Sequence, residues 1–236
     1  MCGYARRHIR LADLEEFVKL IGLLGAYQFD LFDEALLHFR PAFGGAAHQQ
    51  IKDLIINDEG KLKTVDATWW YQCEEQDGKL IVDNKLTTFN ARNLTSRYWK
   101  SGIRHHRAIV LATAIGEGKE VDKKKHSYFV ESDTPLLIGA VYRKFENNLY
   151  STAIITRDEH PRFSEFHDKA FPLFLPPDPE FLQLWLSDGP ETHPAIAHLL
   201  ENPSIFNTLK VTEVKTFKDA VAKGETITLA PDEQAA

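Results

Sequence analysis

The residues with the most chemical content in this chain are its two cysteines, Cys2 and Cys73, and the first of them stands directly behind Met1. If Met1 is removed, as a small second residue favours, Cys2 carries a thiol and an α-amine on one residue. The reference pKa values of such groups, about 8.5 and about 7.7–8.0, leave both partly reactive near neutrality. The amine can condense with an aldehyde to a Schiff base, and the thiol can then close a five-membered thiazolidine. An internal cysteine cannot do this, although a cysteine at the second position has no such meaning on its own. The sequence contains no GxSxG, P-loop, GxGxxG, HExxH or paired CxxC motif. Its ten histidines include His105-His106 and His193/His198, without ligand spacing backed by other ligands. No metal and no cofactor is therefore expected.

The 236 residues suit one large domain or two small ones, and the 43% hydrophobic, 26% charged composition is that of a globular protein able to bury a core without staples. Two cysteines make no disulfide framework, which points to a reducing compartment. No apolar run approaches the roughly 18 residues of a membrane helix, and the start reads as no signal peptide, so a cytoplasmic protein without membrane partners is expected. The net charge of -6 hides a local bias: Lys85 to Lys125 holds ten Lys/Arg against three acids, Glu117, Glu120 and Asp122. That stripe either attracts phosphates or is a solvated basic face.

The elements that must position these groups are strand-rich. Leu14, Phe17, Val18, Ile21 and Leu24 recur at helical spacing, with Gly25 as a stop. Strands are expected at 50–56, 61–69, 79–82, 107–114, 127–130, 136–142, 149–156, 209–216 and 225–229. Arg40 to Ala47 reads as a loop, Thr95 to Arg104 as a short helix, and Glu117 to Lys125 as a charged loop in which glycines on both sides of Glu117 give it no burial. Asp178-Pro179-Glu180 opens a helix with a cap and a first-turn proline, and His193 to Leu200 is another. Scattered helices among many strands favour an α+β fold in one domain over residues 1–236, with 230–236 a frayed tail.

Several segments then stand in a recognisable order. Met1-Cys2-Gly3, Trp69-Trp70, Phe89-Asn90-Ala91-Arg92, Thr95-Ser96-Arg97 with Trp99-Lys100, Arg107 to Val110, Glu117, Ile154-Ile155-Thr156 and His167-Asp168-Lys169 resemble the SRAP family, the SOS-response-associated peptidases. The match runs from Cys2 to about Pro177, with a weaker echo at Val211 to Val214. The chain departs from the family pattern at Tyr4, where an arginine is usual, at Leu94, at the glycines flanking Glu117, and at Lys169.

The resemblance implies a largely antiparallel, barrel-like sheet flanked by short helices. It also implies covalent capture of abasic sites in single-stranded DNA by Cys2 as a thiazolidine crosslink, after self-processing that removes Met1. In that reading Asn90 holds the Cys2 N-terminus, Glu117 shuttles the proton for Schiff-base formation and His167 donates to the sugar oxygen. Arg92 and Arg97 bind phosphates in one groove, Trp69, Trp70 and Trp99 meet the DNA, with stacking on exposed bases open to Trp69 and Trp70 and a core or wedge role equally open to at least one of them, and Thr156 lines the pocket. The partner is single-stranded DNA and the protein acts as a monomer, associated with the nucleoid when bound. Two other function classes stay open: a non-covalent single-stranded DNA-binding module, and a thiol hydrolase on a small amide using Cys2, His167 and Glu117.

Overall fold

The computed structural model describes residues 3–27, 36–45, 49–158, 160–189 and 193–233. In chain order the elements are β1 (Ala5–His8), α1 (Leu11–Leu20), β2 (Leu36–Phe39), β3 (Gln50–Asp58), β4 (Lys61–Thr68), β5 (Cys73–Gln76), β6 (Lys79–Val82), β7 (Asn90–Ala91), α2 (Lys100–His105), β8 (Arg107–Val121), β9 (Lys124–Lys144), β10 (Tyr150–Arg157), β11 (Phe171–Pro172), α3 (Pro179–Leu186), α4 (Pro194–Glu201), β12 (Leu209–Val214) and β13 (Ala222–Leu229).

The fold is α+β. Strands β9, β10, β4, β3 and β8 follow one another by hydrogen bonding, and β8 pairs again with β9, which closes a five-stranded barrel. All of these pairings are antiparallel except the short parallel bridge of Ser151 to Thr68 between β10 and β4. β1 and β2 extend the sheet from β8, β12 and β13 extend it from β9, and β5–β6 form a separate hairpin. No described helix is long and apolar enough to cross a membrane.

The β8–β9 ladder is longer than the sequence indicates. It runs from Arg107 opposite Val141 to Val121 opposite Lys124. The expected charged loop is therefore the far half of a hairpin, and the two expected strands at 127–130 and 136–142 are one strand. Asp122 and Lys123 both take positive φ, 51° and 63°, as a two-residue hairpin turn matching strand twist requires. Residues of β8 divide between two buried clusters: Ala108, Val110 and Ala112 face one, Ile109 and Leu111 the other. The second is roofed by apolar residues of α1, α3 and α4, including Leu14, Val18, Leu182, Trp185 and Ile196. Burial on both faces is why Arg107 to Ala114 reads as a continuous apolar run.

α1 ends one turn earlier than Gly25. Gly22 sits at φ +74°, its amide bonds the Lys19 carbonyl at 3.1 Å and the Leu23 amide bonds Val18 at 2.8 Å, the paired closure that a left-handed residue makes at a helix end. α2 covers only the second half of the expected Thr95–Arg104 helix. α3 begins as expected, with the Asp178 carboxylate accepting from the Phe181 amide at 2.7 Å.

Arg107, counted in the basic stripe, is only 5% exposed. Its guanidinium donates to the carbonyls of Trp185 (2.5 Å), Ile103 (2.6 Å), Arg104 (2.9 Å) and Ser187, so it staples α2 and α3 to the barrel. Arg107→Ala removes the donors of four carbonyls and is expected to cost roughly 3 kcal/mol of stability. Urea unfolding of the purified variant measures it; a loss below about 1 kcal/mol would mean that water replaces the guanidinium at the helix ends.

Candidate active site

Glu117 lies on β8 opposite Tyr128 of β9. Its side chain is fully buried, against the expectation from its glycine neighbours. Each glycine has a steric or hydrogen-bonding reason. A Cβ on Gly116 would lie 2.8 Å from the Phe217 ring, so only glycine lets that ring cover the strand. The Gly118 carbonyl accepts a hydrogen bond from His167 Nδ1 at 2.7 Å, and the same nitrogen lies 3.6 Å from Glu117 Oε2. The acid and the imidazole, 50 residues apart in sequence, form one buried pair.

His167 ends a tight turn in which its amide and that of Phe166 both bond the Phe163 carbonyl. Phe163 and Phe166 are buried with Phe171 and Phe174, and their rings meet edge to face. The turn is docked on β8 by Lys119, whose Nζ donates to Ser164 O at 2.7 Å. A carbonyl can only accept, so the bond to Gly118 assigns the proton to Nδ1 and leaves Nε2 as the acceptor. Burial pushes the imidazole below its ordinary value, which disfavours its charged form.

Tyr4, in place of the family's arginine, anchors the start of the chain here. Its carbonyl accepts from the Gly116 amide at 2.9 Å, its ring stacks on Phe217 and its hydroxyl lies 2.5 Å from His38 Nδ1. Cys2 lies outside the described residues. Cys73 is buried, donates to the Trp70 carbonyl at 3.2 Å, and desolvation holds its thiol up at about 12. It is an unreactive thiol at neutral pH.

Asn90 sits in β7, beside Ile154 of β10. The preceding carbonyl, of Phe89, accepts from both the Ile154 amide (3.1 Å) and the Trp69 indole (2.8 Å). Phe89 shares a buried cluster with Phe163 and Phe166, which flank the His167 turn. The tryptophans lie in the core. Trp69 is 0%, Trp70 3% and Trp99 7% exposed, so none offers a face to a base; they brace the Asn90 segment and the core. Thr156 is also buried, paired with Pro172.

The arginines separate. Arg92 pairs with Asp158 at 3.2 Å and lines a cavity of about 720 Å³ with Lys100, Arg104 and Arg157. Arg97 lines a different one with Arg143. No described cavity holds both. Among the described residues there is no group of three or more metal-ligating side chains.

The family described as SOS response associated peptidase (SRAP) matches residues 1–220. The chain belongs to the SRAP family. Three crystal structures share its fold at identities too low to say more. One, from Bacteroides thetaiotaomicron, has a TM-score of 0.60 at 16% identity, covering 91% of this chain and 93% of its own. A phage-related protein from Bordetella bronchiseptica gives 0.59 at 18%, covering 98% and 100%. A second Bordetella bronchiseptica protein gives 0.59 at 15%, covering 91% and 100%. No curated protein matches the sequence closely enough to count as a relative.

Sequence reading missed two supports of this SRAP site. Lys119 is one; its position two residues from Glu117, hence on the same strand face, was the available signal. The other lies beyond the matched segment. Asp232, in the tail expected to fray, lies 3.0 Å from His160 Nε2, accepts from Arg162 at 2.7 Å and takes the Ile205 amide at 2.7 Å. It thereby pins the start of the loop that carries His167. Burial would raise the Asp232 pKa, but the Ile205 amide, Arg162 and His160 outweigh it and hold the carboxyl below its usual value. The stabilisation is therefore fully present above the ordinary carboxyl pKa of about 3.9 and is lost as pH falls through the depressed folded value. Asp232→Asn is expected to lower the urea midpoint at pH 7, and the gap to wild type should close in acid below about pH 4. A gap that stays constant into that range would assign the effect to packing.

Proposed function

We propose that this protein captures abasic sites in single-stranded DNA covalently through Cys2, after its own peptidase activity removes Met1. The observation that carries the reading is the buried Glu117–His167 pair beside the strand where Tyr4 is anchored. Two residues of chain span at most about 7 Å, so the covalent tether from Tyr4 keeps a processed N-terminus in this neighbourhood.

In this reading the abasic sugar opens when its C1′ hydroxyl gives its proton to His167 Nε2, the C1′–O4′ bond breaks and O4′ takes a proton. The Cys2 amine attacks the aldehyde carbon, and the resulting hydroxyl leaves as water with a proton delivered by Glu117. The Cys2 thiolate then adds to the imine carbon, the ring nitrogen takes a proton, and the thiazolidine is complete. The groups that move protons must lie within hydrogen-bond reach of these atoms, directly or through one water. Asn90, paired with Ile154 of β10 and preceded by a Phe89 carbonyl that Trp69 holds, would position the amine. Phosphates are taken by basic residues such as Arg92, Lys100 and Arg104 around the larger cavity.

Incubation with an oligonucleotide carrying one abasic site, followed by a denaturing gel, tests the reading. The Cys2→Ala variant is expected to bind the strand but to form no stable crosslink. Glu117→Gln is expected to slow crosslinking about 10²-fold while leaving strand affinity near wild type, because its contribution falls in the transition state. Stable, full-strength crosslinking by Cys2→Ala would overturn the proposal. Intact mass of the purified protein reports whether Met1 has been removed.

A further inference from the structure

The segment entering α2 and the end of β9 enclose a depression of about 480 Å³ that the capture reaction does not use. We propose that it is a separate binding site for the phosphoryl group of a nucleotide, held by Arg97 and Arg143. It opens beside the Arg107–Val141 end of the β8–β9 ladder, whereas Glu117 lies ten residues further along β8. Ten residues of extended strand span roughly 33 Å, so the two sites do not share a ligand atom.

The charges that line the depression are Arg97, Arg143, Lys144 and His106, with no carboxylate among them. Two of these four are already accounted for. Lys144 is matched by Asp58 at 2.9 Å, and burial pushes His106 below its ordinary value, so it is neutral near pH 7. The two guanidiniums are different. Among the described residues Arg97 donates to the Tyr98 hydroxyl, at 3.0 Å. Arg143 donates to Gln72 Oε1 and the Cys73 carbonyl, both at 3.3 Å, and lies 4.8 Å above the Phe145 ring. Every one of these acceptors is neutral, and neither arginine makes an ion pair with any described residue. On a protein of net charge -6, two arginines facing one depression without a carboxylate present an electrostatic site that only an anion completes.

The shape of the donors selects the anion. Planar guanidinium forks match phosphate oxygens two at a time. Arg143 is held through Nη1 by the Gln72 and Cys73 acceptors and by the ring beneath it, which leaves Nη2 and Nε for the anion and little rotamer freedom to lose on binding. Tyr98, 37% exposed beside Arg97, adds a hydroxyl and an aromatic edge, which suits a phosphate attached to a nucleoside better than a bare one. Such a phosphate comes either from the backbone of a bound strand or from a free nucleotide.

Three probes without abasic sites separate these sources: labelled oligothymidylate, thymidine 5′-monophosphate and inorganic phosphate, each titrated into the full-length protein. Arg97→Glu, at an exposed position, and Arg143→Lys, which keeps the charge but loses the fork, are each expected to weaken at least one probe by about tenfold or more. Unfolding midpoints check that both variants are folded. Loss for oligothymidylate alone, with the log–log salt slope reduced by about 0.7 for the lost phosphate, supports a strand-backbone site. Loss that extends to the monophosphate or to phosphate supports a free-nucleotide site. Affinities within about twofold of wild type for all three probes in folded Arg97→Glu protein overturn the proposal. Because no probe can be crosslinked, failure here and failure of the Cys2 chemistry are read independently.

Discussion

A barrel of five strands closes only if one strand pair bridges its two edges, and here the long β8–β9 ladder does so. The same two strands also carry β1 and β12 along their outer halves. A break in register near Ala112–Ala114 lets one ladder serve both purposes, since a bulge bends the strand and increases its twist. The inner half is buried on both faces and builds the core. The outer half leaves the barrel, and there Glu117 is set against the turn that bears His167. Barrel closure and placement of the acid are consequences of one strand pairing.

Burying a carboxyl on an edge-like extension needs cover from elsewhere, and the cover is aromatic. Phe217 lies over Gly116 and stacks on Tyr4, and the Phe163–Phe166 turn lies over the following residues. The glycines at 116 and 118 therefore do two different jobs. The first leaves room for a ring, and the second uses its carbonyl to hold the imidazole. Tyr4, by stacking and by its carbonyl bond to Gly116, ties the start of the chain to the same patch. Tyr4 is a buried phenol whose pKa burial raises, and at position 4 it serves as an anchor.

Much of this was legible before the fold was known, and the parts that were not share a cause. Elements whose burial is set locally could be read: the apolar stripe of α1, the Asp178-Pro179 start of α3, the β3–β4 hairpin from its two expected strands at 50–56 and 61–69. The sequence order of Asn90, Glu117 and His167 pointed to one family. What failed were groups whose surroundings come from far along the chain. Glu117 to Lys125 looks like solvated loop because the segment that covers Glu117 lies more than 40 residues away. Whether Trp69 and Trp70 lie in the core or on the surface stays open in the sequence because the carbonyls they satisfy belong to Phe89 and Asp83. Arg107 looks like part of a basic stripe because its four acceptors come from two helix ends. Arg92 and Arg97, five residues apart, diverge because the turn before α2 intervenes.

The loop that bears His167 is held at two points that differ in kind. At one end Gly118 and Lys119 of β8 bond the imidazole and the Ser164 carbonyl. At the other, Asp232 gathers His160, Arg162 and the Ile205 amide from beyond residue 220, where the family match ends. The first set fixes which nitrogen of His167 carries its proton, since Nδ1 donates only while the Gly118 carbonyl stays in line. The second keeps the loop where that alignment is available. A shift of the loop by the length of one hydrogen bond would free Nδ1, and the ring could then present either nitrogen to a substrate. The pairing of Glu117 on β8 with His167 on the loop thus leans on a C-terminal carboxylate distant in sequence from both.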